Sequence, residues 1–170
     1  AAGAARLSHI KRADVPLEFI PTDEDEAYAI QGAVVEWLSA NGLGPQAGYK
    51  VANVSAGMQA HLAKTGGGKF GMTTPIYGPI LSGQLHHRLA EIDPVENQRT
   101  FFECEFGIRI GKDVPPEGRP YTRESIAEYI DACMAGIEIV EWSLDKNAYS
   151  VPHGYLGIAD NGCNRGAVFG

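Results

Sequence analysis

Two glutamates one residue apart, Glu103 and Glu105, lie in a stretch whose side chains alternate in character from Phe101 to Ile110. Successive side chains of a β-strand point to opposite faces, so a strand here places both carboxylates on one face. Apolar side chains form the other face: Phe102, Cys104, Phe106, Ile108 and Ile110. Neighbouring carboxylates are costly to bury unless a cation or a shared proton lies between them. The pattern therefore indicates either a metal site or a half-solvated strand with a polar outer face.

A third glutamate, Glu138, lies among apolar residues in a stretch that predicts another strand over residues 137–144. A carboxylate in such a strand either faces outward or needs a partner. A predicted helix opens at Thr122 and has the apolar face Ile126, Tyr129, Ile130 and Cys133. Such a helical crossover would bring the two glutamate strands side by side. Three carboxylates form the all-oxygen ligand set that Mg²⁺ or Mn²⁺ prefers, whereas zinc usually recruits His or Cys.

Lys50 lies in another predicted strand, over residues 49–54. A lysine among small and apolar neighbours is either a charge at a strand edge or a cation directed into a site. The acidic run from Asp23 to Glu26 predicts the first turn of a helix capped by Thr22, with an apolar face that continues to Leu38. The glycine-rich residues 65–71 do not match a P-loop, because Phe70 follows Lys69 where a Ser or Thr is required.

Length and charge narrow the class of protein. The 170 residues predict one domain, with a helical N-terminal part at 1–47 and a metal-binding β part at 48–170 that is truncated or completed by another chain. The net charge of −7, without a dense basic cluster, argues against a nucleic-acid or anionic-membrane partner. No apolar run is long enough for a membrane span or a signal peptide. We therefore expect a soluble, cytoplasmic protein whose partner is a small organic substrate or another protein.

Five short motifs occur in order along the chain, at residues 26–31, 48–51, 103–105, 138–140 and 159–161. Together they resemble the 2-keto-4-pentenoate hydratase and 4-oxalocrotonate decarboxylase branch of the fumarylacetoacetate hydrolase family. The resemblance implies an α+β fold, a mixed and mainly β roll with flanking helices. It also implies a homo-oligomer, or a second chain that supplies further strands.

The resemblance also implies a chemistry. Glu103, Glu105 and Glu138 match the family's ligands for Mg²⁺ or Mn²⁺, and Lys50 matches its active-site lysine. The resemblance assigns substrate binding to Tyr77, Asp160 and Asn161. The metal would chelate the carboxylate and 2-oxo oxygens of a 2-oxo acid and stabilise an enolate, and Lys50 would stabilise charge or shuttle a proton. The expected activity is that of a lyase of hydratase or decarboxylase type.

Two positions depart from the family pattern. Tyr77 replaces an acid that is expected in a Pro-Asp-Phe-Gly-like stretch, and Ser143 stands where an arginine is common. These departures favour one alternative, a non-catalytic or partner-completed subunit of the same fold. A C–C bond hydrolase of the same family is a second alternative, because hydration, decarboxylation and hydrolysis share an enolate-stabilising site. A metal-free ligand-binding module is a third.

Overall fold

The computed structural model describes residues 20–64, 75–92, 99–142 and 154–170. The predictions for the glycine-rich segment at 65–71 and for Ser143 lie outside the described residues.

Helix α1 (Glu24–Leu38) forms at the acidic run, as the sequence predicts. Its cap is Asp23 and not the predicted Thr22: the Asp23 carboxylate accepts a hydrogen bond of 2.8 Å from the backbone N–H of Glu26. Thr22 instead donates its backbone N–H and its hydroxyl to the Glu26 carboxylate. The buried positions of α1 are Ala27, Gln31 and Leu38, so this face packs against the rest of the protein.

Strands β1 (Gln46–Ala52) and β2 (Ile76–Leu81) pair antiparallel into a two-stranded ribbon, and helix α2 (Ala56–Lys64) follows β1. Directly opposite residues share a face of an antiparallel pair. Lys50 lies opposite Gly78, whereas Tyr77 lies opposite Val51. Lys50 and Tyr77 therefore point to opposite faces of the ribbon.

The larger sheet has four strands in the order β3-β6-β5-β4: β3 (Leu85–His87), β4 (Arg99–Ile110), β5 (Ile130–Trp142) and β6 (Asn164–Phe169). Strand β3 runs parallel to β6, while β5 runs antiparallel to both β4 and β6. The fold is thus mixed α+β, as predicted.

The predicted long helix after Thr122 is wrong. Helix α3 covers only Arg123–Ala127, and Ile130 and Cys133 belong to β5. Strands β4 and β5 are antiparallel neighbours, so the predicted helical crossover between them is also wrong. The reason is long-range pairing: Ile110 lies opposite Ile130 and Ile108 opposite Cys133, and these cross-strand contacts outweigh a local helical period.

Helix α4 (Gly154–Ala159) and a 3₁₀ turn (Asn161–Cys163) precede β6. Ile158 of α4 packs with Ala27 of α1 and Ile76 of β2 in a buried cluster. The buried Gln31 side chain donates to the backbone oxygens of Tyr77, at 3.0 Å, and Ile158, at 2.9 Å. These contacts attach the ribbon to both helices.

The apolar row of β4 lies on one face, as predicted, but much of it is in contact with solvent. The exposed fraction is 66% for Phe102 and 82% for Phe106. In the described part of the chain, every helix is too short or too polar to cross a bilayer.

Candidate metal centre

The pairing of β4 with β5 brings the three predicted glutamates together. Glu103 lies directly opposite Glu138, and Glu105 lies one pair further along the same face, opposite Gly136. One carboxylate oxygen from each of the three residues lies within 4.8 Å of the other two. The cluster therefore depends on strand register, because a slip of one residue would turn Glu103 and Glu105 to the other face.

Glu138 is held from two sides. It is only 6% exposed, and its Oε1 accepts a hydrogen bond of 2.8 Å from Nδ2 of Asn164. The Nζ of Lys50 lies 3.2 Å from the same oxygen. A buried carboxylate requires such partners, since its desolvation is otherwise uncompensated.

Lys50 reaches this carboxylate from the other sheet. Its side chain is 10% exposed and passes next to Gly162, where a Cβ atom would lie 2.6 Å from the Lys50 Cε. The ribbon therefore lies with its Lys50 face toward the glutamates. The prediction that Lys50 is directed into a site is consistent with this placement.

Glu105 is exposed, yet its pKa is raised above the ordinary value. Partial desolvation is the largest cause, and the negative charges of Glu138 and Glu103 add to it, while Lys50 acts in the opposite direction. Like charges at short range disfavour ionisation of each other. The carboxylates thus attract a further positive charge.

The three donors fit a hard divalent cation. Ion–oxygen distances of about 2.1 Å for Mg²⁺ and 2.3–2.6 Å for Ca²⁺ place two ligands of one ion at most about 4–5 Å apart. The 4.8 Å limit within the cluster is compatible with this range after small side-chain movements. Carboxylate oxygens also match the preference of Mg²⁺, Ca²⁺ and Mn²⁺.

The predicted substrate residues lie in different places. The Tyr77 ring stacks on Tyr28 of α1, with 4.7 Å between ring centroids, on the ribbon face opposite Lys50. The structure therefore does not bring Tyr77 to the glutamate face. Asp160 is fully buried at the end of α4, and Asn161 follows it with its amide directed at β2. Substrate binding by these three residues stays a prediction.

Two residues at this centre, Asn164 and Gly162, were not predicted from the sequence. Asn164 begins β6, and the pairing of β6 with β5 places it beside Glu138. The available signal was only a polar, turn-rich stretch before Ala167-Val168-Phe169, in which Gly162 and Asn164 do not stand out. That signal becomes specific only once the neighbouring strand is known.

The chain matches no protein-family model and no curated protein. Among the solved structures that match the chain are two of 4-oxalocrotonate decarboxylase from Pseudomonas putida G7, and each match covers 99% of the chain. The structure with magnesium and adipate has a TM-score of 0.74 at 17% identity, and the structure with calcium and acetate has 0.77 at 18% identity. The chain has the fold of 4-oxalocrotonate decarboxylase.

The resemblance to this branch of the fumarylacetoacetate hydrolase family is thus confirmed at the level of the fold. The chain spans 59% and 58% of the two decarboxylase chains. Both decarboxylase structures contain a divalent cation and a carboxylic acid.

Proposed function

We propose that this protein is a divalent-metal-dependent lyase of hydratase or decarboxylase type, acting on a small 2-oxo acid. The observation that carries the proposal is the cluster of Glu103, Glu105 and Glu138 with the Lys50 ammonium at its buried edge. The decarboxylase fold, found elsewhere with magnesium or calcium, supports it.

The three glutamates would hold Mg²⁺ or Mn²⁺ on the face of the sheet that the ribbon approaches. When bound, the ion supplies Lewis-acid polarisation of the oxygens of a 2-oxo acid. Glu103 and Glu105 are exposed, so a ligand can reach this side of the cluster from solvent.

Lys50 supplies the second electrostatic element. Its Nζ is positioned by Glu138 Oε1 at 3.2 Å and is largely shielded from water. A fixed positive charge at this position stabilises negative charge that develops on a substrate oxygen, and its N–H group can donate a proton. Lys50 is therefore the residue that we assign to proton and charge chemistry.

A metal-binding protein of the same fold without catalytic activity is the second candidate. Tyr77 favours it, because this side chain stands where the hydratases carry an acid and yet packs against Tyr28, away from Lys50. A protein of this kind would bind the ion and a carboxylic acid but would not convert a 2-oxo acid.

The test combines calorimetric titration with Mg²⁺ and Mn²⁺ and an assay of a panel of 2-oxo acids, with products identified by mass spectrometry. Wild-type protein should bind either ion and convert at least one acid. The Glu105→Gln variant should lose ion binding by at least about tenfold, because one ligand and one negative charge are removed. Ion binding without any conversion would favour the non-catalytic candidate.

Glu91→Gln is the matched control, since Glu91 is also exposed and is not part of the cluster. This control should bind the ion like the wild type. Full Mg²⁺-dependent activity in Glu105→Gln would contradict the assignment of the glutamates as ligands.

A further inference from the structure

We infer that Asn161 is a positioning residue: it holds the β1–β2 ribbon at the distance at which Lys50 meets Glu138. The consequence for metal binding rests on the proposed function, whereas the placement of Lys50 does not. Asn161 adds a contact between the ribbon and the turn before β6, beside the Lys50–Glu138 ion pair.

The first contact is a hydrogen bond between the turn and the ribbon. Nδ2 of Asn161 donates to the backbone oxygen of Pro79 in β2 at 2.7 Å. The Asn161 side chain is only 2% exposed, so little water competes for this bond. Pro79 follows Gly78, the residue directly opposite Lys50.

The second contact is the close approach of the same amide to Gly78. A Cβ atom at position 78 would lie 2.2 Å from Oδ1 of Asn161 and 3.0 Å from its Cγ. Among the described residues, no hydrogen-bond donor reaches this oxygen. The Asn161 amide thus lies directly on the β2 backbone, and it does so because residue 78 lacks a side chain.

The third element is the short connection between Asn161 and the glutamate sheet. Three residues after Asn161, Asn164 donates to Glu138. Asn161 has a φ of 57°, a conformation that Asn tolerates better than most residues. The turn that leads into β6 therefore contacts the ribbon through Asn161 and strand β5 through Asn164. Release of Asn161 should let Lys50 retreat from Glu138.

The experiment uses two variants that release this contact in different ways. Asn161→Gly removes the amide and keeps a residue suited to positive φ, and Gly78→Ala introduces the clash. Each has a matched control: Asn53→Gly, at another asparagine with a φ of 59°, and Gly48→Ala, at a ribbon glycine where an added Cβ atom would meet no other atom within 4 Å. Thermal unfolding curves establish that each protein is folded.

The first readout is the rate of amine acylation at Lys50 in metal-free protein, measured by peptide mass spectrometry. We expect at least a threefold faster reaction in Asn161→Gly and Gly78→Ala, because the shielded Lys50 amino group becomes accessible to the reagent and reacts through its neutral form. The two controls should react like the wild type, and the exposed Lys112 should react equally in all five proteins.

The second readout is the Mn²⁺ dissociation constant, by calorimetry. Lys50→Met should bind Mn²⁺ at least threefold more tightly than the wild type, because a competing cation beside Glu138 is removed. The dissociation constant of Asn161→Gly should shift toward that of Lys50→Met. The double variant should have the same dissociation constant as Lys50→Met alone. Such non-additivity distinguishes positioning of Lys50 from a general loss of structure.

Unchanged Lys50 acylation in folded Asn161→Gly would overturn the inference, and so would a failure of Asn161→Gly to fold, which would indicate a general structural role. A wild-type protein that does not bind Mn²⁺ would overturn the proposed function instead, and acylation would still decide the role of Asn161.

Discussion

Strands β4 and β5 are paired over most of their length, yet they contribute to the candidate metal centre in different ways. On β5, Glu138 lies in a buried run that continues through Glu141, and its carboxylate contacts Lys50 and Asn164. All but two of the 12 residues of β4 are exposed, including Glu103 and Glu105. Within the described part of the chain, no hydrogen bond or ion pair holds either of these two carboxylates.

Under the proposed function, this difference makes Glu138 a fixed ligand and Glu103 and Glu105 adjustable ligands. Glu138 must have a cation or donor close to it at all times, because a buried charge without partners is costly. Glu103 and Glu105 are exposed, so their side chains can adjust to an arriving ion. Four predictions test this contrast.

The largest effect is expected for Glu138→Gln. The change leaves the Lys50 ammonium in a shielded position without its carboxylate, and removal of one partner of a buried pair costs about 3 kcal/mol or more. Ion binding should fall by at least about 100-fold, because the fixed ligand is lost. Urea unfolding and calorimetric titration measure the two effects. A stability within about 0.5 kcal/mol of the wild type would contradict the proposed role of the buried pair.

Replacement of apolar residues by alanine should lower the free energy of unfolding more on β5 than on β4. Ile139 on β5 is 2% exposed, so Ile139→Ala should lower the free energy of unfolding by about 3 kcal/mol. Phe106→Ala on β4 should cost less than about 1 kcal/mol, because Phe106 is already in water. Urea unfolding measures both variants. If both lost the same free energy of unfolding, the exposed face of β4 would be covered in solution.

Glu103→Gln should separate ion binding from stability. Under the proposed function the exposed Glu103 carboxylate binds the ion, so affinity for Mn²⁺ should fall about tenfold, or about 1.4 kcal/mol. No described residue forms a hydrogen bond or ion pair with this carboxylate, so the change removes no such contact in the described part of the chain. The free energy of unfolding of the metal-free protein should stay within about 0.5 kcal/mol of the wild type. A large loss of stability in this variant would remove the distinction between the two strands.

The smallest effect is a pH dependence at Glu105. Its pKa is raised from 4.5 in the folded protein, chiefly by desolvation, so the folded state binds this proton more tightly than the unfolded state. The resulting stabilisation is present below pH 4.5 and is lost as the pH rises through the folded pKa. Glu105→Gln should therefore gain stability relative to the wild type between pH 4 and pH 7, measured by urea unfolding with a chelator present. A difference that does not vary with pH would contradict the raised pKa.

The strand with two glutamates could be predicted because alternation of side chains is a local property. The same local argument predicted α1 nearly to its bounds, although the cap is Asp23 and not Thr22. It failed after Thr122, where residues that read as one face of a helix instead pair across β4 and β5. Local periodicity does not include the partner strand, and there the partner decided the structure.

The sequence by itself determined the chemistry of the centre: three carboxylates and a lysine, each in a stretch with strand character. Only the tertiary structure decided their unequal roles. Register placed Glu103 opposite Glu138, and the contact between the two sheets buried Glu138 with Lys50. The pairing of β1 with β2 directed Tyr77 to the ribbon face opposite Lys50, away from the glutamates. The physical reason is that ligand type depends on the residue alone, whereas burial, and with it the cost of a charge, depends on what the rest of the chain places around it.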